Sequence, residues 1–327
     1  MVVIGKTSVD TQPRSADQVD VILPGKLSSH PALVVIIPAY NESRFIGSII
    51  LQARRFASQV IVVDDGSTDD TAWIARSAGA SVVCHESNQG KGAALNTGFH
   101  AARQCDPQVV VCLDGDGQHF PDEINLLIEP IITQQADIVV GSRYLGTLDF
   151  TPRHRVWGHR FFNFLTHFAS GVESSDSQSG FRAFSPRALQ ALSFCSQDFS
   201  VESEMQFLAQ EHDLQLVEMP VTIRYPDPPK RSVLMHGMSV LNGVLSLAGQ
   251  YRPLLFFGIV GTAQILLGLM LGYRVVYLFG LNSGLAAGTA MLSILFVITG
   301  TLSLSTGFIL HSIRVLLLEL FRRNASR

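Results

Sequence analysis

The chain has 327 residues, of which 47% are hydrophobic and only 16% are charged, and its mean hydropathy is positive at +0.27. So low a charged fraction excludes a disordered chain. The net charge of −3 disfavours a nucleic-acid partner bound through a basic surface. Residues 253–327 nevertheless hold five arginines and one glutamate. The sequence therefore predicts an acidic soluble part followed by a basic, apolar tail.

The N-terminal segment and the cysteines set expectations for the compartment. Residues 1–31 contain no basic segment followed by a long apolar core, which disfavours a signal peptide and predicts a flexible lead-in to a chain that stays in the cytoplasm. None of the four cysteines forms a Cys-x-x-Cys pair, and Cys84 and Cys112 lie in apolar, strand-like runs. We therefore expect buried, reduced thiols rather than a disulfide or a metal site.

Short apolar runs alternate with helical stretches through the first half of the chain. The predicted strands are Leu33–Ile37, Val60–Val63, Ser81–His85, Val109–Leu113 and Asp137–Val140. The predicted helices lie at about 43–57, from a cap at 68–71 to about Ala78, at 91–103, and after Pro121. This alternation is typical of a doubly wound α/β sheet, which binds ligands at the carboxyl ends of its strands.

Polar side chains are concentrated in the loops at those carboxyl ends. They are Tyr40, Asn41, Glu42, Asp64, Asp65, Lys91, Asp114, Asp116 and Gln118. Carboxylates that converge on one edge repel one another and call for a cation or for ligand hydroxyl groups. A single Asp-x-Asp is also typical of a plain turn, but Asp114 and Asp116 stand in register with the other loops and suit a divalent ion that carries a diphosphate. Neither a P-loop nor a Gly-x-Gly-x-x-Gly fingerprint occurs at these positions, which disfavours a P-loop NTPase or a nicotinamide enzyme.

The tail contains two apolar runs without any charged residue, at 254–273 and 285–310. At about 1.5 Å per residue, each is long enough to cross a hydrocarbon core about 30 Å thick. The alternative is a pair of helices buried in a large soluble core. Basic residues precede and follow the pair, so the positive-inside rule predicts an integral, two-pass membrane protein with its large domain and both termini in the cytoplasm.

Six motifs along the chain carry a family resemblance. They are Pro38–Glu42, Val63–Asp69, Asn88–Asn96, Leu113–His119, Val140–Arg143 and Ser179–Phe184. Together they resemble the inverting family 2 glycosyltransferases of GT-A fold, and within them the polyprenyl-phosphate (dolichyl-phosphate) sugar synthases. The resemblance covers roughly residues 33–250, and a two-helix tail occurs in some members.

The resemblance implies the fold class and the domain organisation. We expect an α/β, Rossmann-like GT-A domain with a mostly parallel sheet at 32–232. A juxtamembrane amphipathic segment would follow at 233–252, and a transmembrane hairpin with a basic C-terminal tail at 253–327.

The resemblance also implies a donor site and a metal site. The residues expected to bind the nucleotide-sugar are Pro38, Ala39, Tyr40, Glu42, Asp65, Gly66, Lys91, Asp114 and Arg143. Those expected to hold Mg²⁺ or Mn²⁺, and through it the diphosphate, are Asp114, Asp116 and Gln118.

The resemblance implies that Arg143 and Arg182 face the acceptor phosphate or the donor phosphates, because guanidinium groups fit phosphate well. The basic loop at 226–232 adds Lys230 and Arg231 as candidates for the acceptor phosphate. The expected catalytic residues are Asp116, Asp176 and Arg182, with Asp176 either a base, an acceptor-orienting group or only a turn cap. A phosphate monoester has a second pKa of about 6, so positioning and metal electrostatics could suffice without a strong base. Glu202 and Glu204, after the strand-like stretch 199–201, are either site carboxylates or surface or structural residues.

Two stretches suggest where a lipid would enter. Residues 153–168 mix aromatic and basic side chains, which fits a helix at the lipid headgroups or, equally, one packed on the sheet. Residues 226–232 form a proline-rich basic loop that could close over the donor, grip lipid phosphate or act as a linker.

The expected activity is transfer of one hexose-type sugar from a nucleoside diphosphate to polyprenyl phosphate, with inversion, at the cytoplasmic face of a lipid bilayer. A UDP-sugar is favoured over GDP-mannose because the stretch 225–237 is more similar to prokaryotic UDP-dependent members. The alternatives are a glycolipid or lipid-linked oligosaccharide acceptor, and a catalytically silent scaffold that binds nucleotide-sugar. Glycines in the tail also allow a homo-oligomer.

Overall fold

The computed structural model describes residues 32–145, 163, 166–168, 170–195, 201–224, 233–281 and 286–325. Its centre is a seven-stranded sheet. The strands are β1 (Leu33–Ala39), β2 (Gln59–Asp64), β3 (Ser81–Cys84), β4 (Val109–Cys112), β5 (Ile138–Ser142), β6 (Arg182–Phe184) and β7 (Leu216–Pro220). They lie in the order β3-β2-β1-β4-β6-β5-β7, and only β6 runs antiparallel to its neighbours. The predicted mostly parallel sheet is confirmed.

Nine helices are described around and beyond this sheet. They are α1 (Ile46–Ala53), α2 (Thr71–Ser77), α3 (Lys91–Arg103), α4 (Ile124–Ile132), α5 (Pro186–Ala191), α6 (Val201–Glu211), α7 (Val233–Tyr251), α8 (Pro253–Gly280) and α9 (Ala287–Ala325). Helix α1 is shorter than the predicted 43–57, because the N–H groups of Arg55 and Phe56 bond three residues back and tighten the chain into a turn before β2. Of the strand-like stretch predicted at 199–201, only Val201 is described, and it is helical, in α6.

The sheet is buried on both faces. Val35 and Ile37 of β1 pack with α1 and α4, whereas Val34 and Ile36 pack on the opposite face with α3, α5 and α6. This alternation follows from the two-residue period of a strand, and it explains why a strand covered on both faces appears in the sequence as a continuous apolar run. The doubly covered sheet therefore fixes the strand ends from which the loops at its carboxyl edge begin.

Helices α8 and α9 form an antiparallel pair with little shelter from the rest of the chain. Both are long and apolar enough to cross a membrane, and only 11% of the most apolar window of each is buried. That exposure contradicts the alternative of two helices buried in a soluble core. Helix α9 runs to Ala325, well past the expected end at 310. Of the short turn predicted at 281–284, only Leu281 lies within the described residues.

Glycines allow the two helices to approach closely. A Cβ on Gly261 would lie 2.7 Å from the carbonyl oxygen of Gly300, and the reverse holds for Gly300. The Ser293 hydroxyl donates to the carbonyl of Gly268 at 2.7 Å. Gly261, Gly268 and Gly300 therefore allow close packing of the two helices within one chain.

The cysteine expectation is partly wrong. Cys112 is buried in β4, but Cys84 and Cys195 are exposed, and all four thiols are free. Cys84 ends β3, which is the edge strand of the sheet and is only half covered by the layer of helices. An apolar run at a sheet edge therefore does not guarantee burial.

Candidate active site

The site forms at the carboxyl edge of β1, β2 and β4, where the first two loops are locked together. The N–H of Asn41 donates to the Ser67 hydroxyl at 2.9 Å, and the N–H of Glu42 donates to the Thr71 hydroxyl at 2.8 Å. Asn41 itself has a φ of +54°, a left-handed conformation that asparagine tolerates well. This loop directs Tyr40 outward, with 41% of its surface exposed.

Asp65 anchors the third loop rather than facing open space. Its carboxylate lies 2.7 Å from the ring Nδ1 of His85 and accepts hydrogen bonds from the N–H groups of Gln89 and Gly90 at 2.9 and 2.8 Å. The neighbouring Gly66 has a φ of +71°, and a Cβ there would come within 2.6 Å of the Ser87 backbone. Both residues thus place the segment that leads into α3, while their predicted contact with nucleotide-sugar stays a prediction.

Lys91, the first residue of α3, joins two carboxylates from distant parts of the chain. Its Nζ lies 2.7 Å from Asp114 Oδ1 and 2.6 Å from Glu202 Oε1. Burial alone would lower the pKa of Lys91, but these two carboxylates outweigh burial and hold the pKa well above its ordinary value. A permanent positive charge is therefore held at the centre of the site.

The pKa values of Asp114 and Asp116 are shifted in opposite directions. Burial alone would raise the pKa of Asp114, but Lys91, His119 and Arg143 together outweigh burial and lower the pKa. Burial, together with the negative charge of Asp114, raises the pKa of Asp116 to about 6. Gln118 donates its backbone N–H and its side-chain amide to the Asp116 carboxylate at 3.0 and 2.7 Å. These three residues form one compact group of oxygen-bearing side chains.

Glycine at position 180 lets the chain close over Asp114. A Cβ on Gly180 would lie 2.2 Å from Asp114 Oδ2, a distance that no real pair of atoms tolerates. The residues that line the small cavity beside this contact include Pro38, Lys91, Asp114, Gly180, Arg182 and Glu202. The motif that ends at Phe184 therefore packs directly on the acidic group.

Arg143 and Asp176 form a second charged pair at the same edge. Arg143 Nε donates to Asp176 Oδ2 at 2.6 Å, and the Arg143 backbone N–H donates to the same oxygen at 3.2 Å. Burial raises the pKa of Asp176 although Arg143 opposes the shift. Arg143 is also close enough to Asp114 to lower the pKa of that carboxyl, after the larger effects of burial, Lys91 and His119. The two charged groups therefore belong to one site.

Arg182 is enclosed rather than exposed. Only 1% of its surface is accessible. Its Nε and Nη2 donate to the carbonyls of Ser179 and Ser177, both at 2.8 Å. These bonds shape the segment that covers Asp114, and the predicted contact of Arg182 with acceptor phosphate stays a prediction.

The structure decides between the alternatives for Glu202 and Glu204. Both are buried, so the surface alternative is wrong. Glu202 enters the site through Lys91, whereas Glu204 accepts the backbone N–H of Cys195 at 2.8 Å. The sequence did not reveal this, because residues 201–209 of α6 are all buried and no local pattern says which of them meets the site.

Glu218 is a supporting residue that sequence reasoning missed. It lies in β7, and its carboxylate accepts the Ser174 hydroxyl at 2.6 Å and the Ser175 N–H at 2.8 Å. Ser175 in turn lies 2.6 Å from the hydroxyl of Ser142 at the end of β5. An acidic residue inside an otherwise apolar strand, Leu216–Pro220, was the available signal.

We expect Glu218→Ala to destabilise the protein by about 1–3 kcal/mol, because partly buried donors of Ser174 and Ser175 lose their acceptor. Thermal unfolding measures the change, with Glu129→Ala on the exposed side of α4 as the control. Equal melting temperatures for the two variants would show that Glu218 does not support this loop.

Some predicted residues lie outside the described part of the chain. These are Lys230 and Arg231, the whole loop 226–232, and most of the stretch 153–168. Their expected roles stay predictions.

Comparison with known proteins identifies the same family as the motifs. A family model described as Glycosyl transferase family 2 matches residues 34–193. The UDP-N-acetylglucosamine–dolichyl-phosphate N-acetylglucosaminyltransferase of Methanococcus voltae is 33% identical over 218 residues, which cover 60% of this chain and 86% of the relative. The polyprenol monophosphomannose synthase of Mycolicibacterium smegmatis is 30% identical over 202 residues, with 58% and 76% covered.

Solved structures agree on the fold. Glucosyl-3-phosphoglycerate synthase from Mycobacterium tuberculosis, solved with Mn²⁺, uridine diphosphate and glucosyl-3-phosphoglycerate, superposes with a TM-score of 0.53 at 24% identity. The match covers 67% of this chain and 80% of that one. This likeness confirms the GT-A fold. The relatives named as a transferase and a synthase favour an enzyme over a silent scaffold. The shared motifs, the sheet and the curated relatives together show that the chain belongs to glycosyl transferase family 2 and is a glycosyltransferase.

Proposed function

We propose that the enzyme transfers a hexose-type sugar from a nucleoside diphosphate to polyprenyl or dolichyl phosphate, with inversion at the sugar C1. The carrying observation is that the acidic group at Asp114 and Asp116 shares one sheet edge with the Arg143–Asp176 pair. The first suits a donor diphosphate and the second a phosphate acceptor. Relatives named for dolichyl-phosphate and polyprenol phosphate products support this acceptor class.

The acidic group fits a divalent ion. Asp114 and Asp116 supply hard oxygen ligands, and the raised pKa of Asp116, caused by burial and by the charge of Asp114, indicates negative charge that a cation would relieve. Among the described residues no cluster of three or more His, Cys, Asp and Glu side chains is gathered for a metal. Gln118 and the donor phosphates would therefore complete the shell of Mg²⁺ or Mn²⁺. When bound, the ion supplies positive charge against the leaving diphosphate.

The protein side chains would orient the two substrates. Residues Pro38, Ala39, Tyr40, Glu42, Asp65 and Gly66 would surround the nucleoside, and Lys91 would face the donor phosphates. An oxygen of the acceptor phosphate attacks C1 as the bond from C1 to the nucleoside diphosphate breaks and its electron pair leaves with the diphosphate. Because a phosphate monoester is largely ionised at neutral pH, Asp176 need not accept a proton, and its contact with Arg143 favours an orienting role.

The hairpin would place this reaction at the cytoplasmic face of a bilayer. Arg314 of α9 contacts Tyr251, the last residue of α7, so both chain segments that flank the hairpin lie on the same side as the catalytic domain. Arg274 lies in α8, toward the opposite end of the pair. This distribution supports two membrane passes with both ends cytoplasmic.

A transfer assay with purified full-length protein in detergent tests the proposal. Polyprenyl phosphate is supplied with a panel of radiolabelled UDP- and GDP-sugars, with Mg²⁺ or Mn²⁺ or with EDTA. We expect label in the organic phase from a UDP-sugar, lost on chelation, with GDP-mannose as the alternative donor. Label that enters only a glycolipid acceptor would show that a glycolipid, and not polyprenyl phosphate, is the acceptor. Absence of label with every acceptor would contradict the proposal.

Gly180→Ala should weaken nucleotide binding in the presence of Mn²⁺ by about tenfold or more, because the new Cβ must push Asp114 out of place. Calorimetric titration with UDP and with GDP measures the effect. Gly249→Ala in α7 is the matched control, since a Cβ at that position meets nothing within 4 Å. Equal affinity in the two variants would mean that Asp114 does not hold the ion.

A further inference from the structure

Helix α6 presents different residues to two sites. Near its start, Glu202 pairs with Lys91 in the donor pocket, and Met205 lines the same pocket. Glu204, Phe207 and Glu211 follow at intervals of three and four residues, so they share another face of the helix. At about 1.5 Å per residue, Glu202 and Glu211 are about 13 Å apart along the helix axis.

The second face of α6 meets the cytoplasmic end of the hairpin. Arg314 Nη2 of α9 lies 3.1 Å from Glu211 Oε2, and Arg314 Nη1 donates to the backbone carbonyl of Tyr251. The guanidinium also lies over the Tyr251 ring, 5.1 Å from its centroid. Glu211, Tyr251 and Arg314 are called here the hairpin joint. Three kinds of contact on one arginine make this a defined geometry rather than a loose surface ion pair.

Tyr251 carries the contact into the body of the domain. Its ring lies 5.3 Å from the ring of Phe207, and its hydroxyl donates to Glu204 Oε1 at 3.5 Å. Burial, and after it the charge of Glu204, raise the pKa of Tyr251, so the phenol keeps the proton that it donates. The hairpin joint is therefore bonded to α6 at its middle and at its end.

Within the described residues, a single residue separates helix α7 from the hairpin. Helix α7 ends at Tyr251 and α8 begins at Pro253, and the intervening Arg252 donates to the carbonyl of Ser170 at 3.0 Å. Residues 287–310 of α9 already extend about 36 Å, enough for a hydrocarbon core of about 30 Å. Arg314, which follows, therefore lies where the membrane ends and the catalytic domain begins.

We propose that the hairpin joint positions the donor site through α6. By holding Glu204, Phe207 and Glu211, the joint keeps Glu202 against Lys91, so the membrane anchor and the catalytic pocket share one rigid helix. Arg314, Tyr251 and Glu211 are positioning residues that touch neither substrate. This inference rests on the proposed function for its kinetic readout only.

The test uses full-length protein in nanodiscs that contain polyprenyl phosphate. Arg314→Ala removes all three contacts, Arg314→Lys keeps the charge without the planar fork, and Glu211→Arg combined with Arg314→Glu reverses the ion pair. Arg274→Ala is the matched control, because it also removes an arginine from the hairpin. Within the described residues, Arg274 forms no ion pair. Readouts are hydrogen exchange of the α6 amides, nucleotide binding with Mn²⁺, and kcat and KM of transfer.

We expect Arg314→Ala to speed exchange of the α6 amides by about tenfold and to lower kcat by about tenfold, because charge-assisted bonds at a partly buried site are lost. KM for the donor should stay within about twofold, since the nucleoside contacts are untouched. For Arg314→Lys, both the α6 exchange rate and kcat should lie between those of the wild type and of Arg314→Ala. The reversed ion pair should recover part of the lost kcat, and Arg274→Ala should match the wild type.

Two results would overturn the inference. One is α6 exchange in Arg314→Ala that matches the Arg274→Ala control. The other is a fall in kcat without any change in α6 exchange, which would place the effect elsewhere. If the wild type transfers no sugar, the proposed function fails, but the exchange of the α6 amides still decides whether the hairpin joint holds α6 in place.

Discussion

Asp116→Asn should lower sugar transfer by about a thousandfold while it raises the melting temperature. The loss follows because a charged ligand of the ion that faces the diphosphate is replaced by a neutral amide, and removal of one such electrostatic partner costs about 10²–10³ in rate. The gain in stability follows because burial and the charge of Asp114 raise the pKa of Asp116 to about 6. Its ionised form therefore destabilises the fold at neutral pH.

The raised pKa of Asp116 also predicts how the stability of the protein depends on pH. The folded protein holds the Asp116 proton up to a pH of about 6, whereas the unfolded chain loses it near the ordinary value of 3.8. Without divalent ion, the wild type should therefore lose stability as the pH rises from about 4 to 6, by roughly 1–3 kcal/mol. Asp116→Asn should lack this loss, so the two proteins should differ at pH 7 and converge near pH 4.

Thermal unfolding with EDTA and with Mn²⁺ checks both parts of this prediction. Mn²⁺ should raise the melting temperature of the wild type and leave Asp116→Asn nearly unchanged, because a ligand stabilises only the state that binds it. Asp122→Asn, an exposed carboxylate three residues after His119, is the control. Full transfer by Asp116→Asn, or a lower melting temperature in EDTA at pH 7, would contradict this account of the site.

Lys91→Met is expected to destabilise the protein by about 3–5 kcal/mol and to abolish donor binding. The substitution leaves Asp114 and Glu202 facing each other at a largely buried position, with the shared ammonium gone. Breaking a buried ion pair by removal of one partner has about this cost. Donor binding is lost for a separate reason, because a fixed positive charge beside the diphosphate is removed.

A double substitution separates the two effects. Lys91→Met with Glu202→Gln removes one of the opposed carboxylates, so it should recover about half of the lost stability without recovery of transfer. Arg55→Met is the control, because its ion pair with Asp122 at 3.1 Å is well exposed and should be worth about 0–1 kcal/mol. A double variant no more stable than Lys91→Met would show that repulsion between Glu202 and Asp114 does not cause the loss of stability.

The loop residues at the strand ends were predictable because local signals agree there. Asp114 and Asp116 follow a buried apolar strand, and parallel strands bring their carboxyl ends to one edge whatever the details of packing. Glu202, Glu218 and Arg314 were not predictable in the same way. Each acts through a partner more than forty residues away in the chain, and nothing local to the residue names that partner.

The sequence by itself determined the family, the order of the first five strands and the helices between them, the acidic group after β4 and the two apolar helices, because periodicity and motif spacing are properties of short segments. It did not predict β6 and β7, which only the tertiary structure added to the sheet. Only the tertiary structure decided what each charge faces. It enclosed Arg182 behind the segment over Asp114, paired Asp176 with Arg143, committed Asp65 to the third loop and brought Arg314 onto Glu211. Burial and pairing depend on how distant segments pack together, and they set the pKa values and contacts on which the chemistry depends.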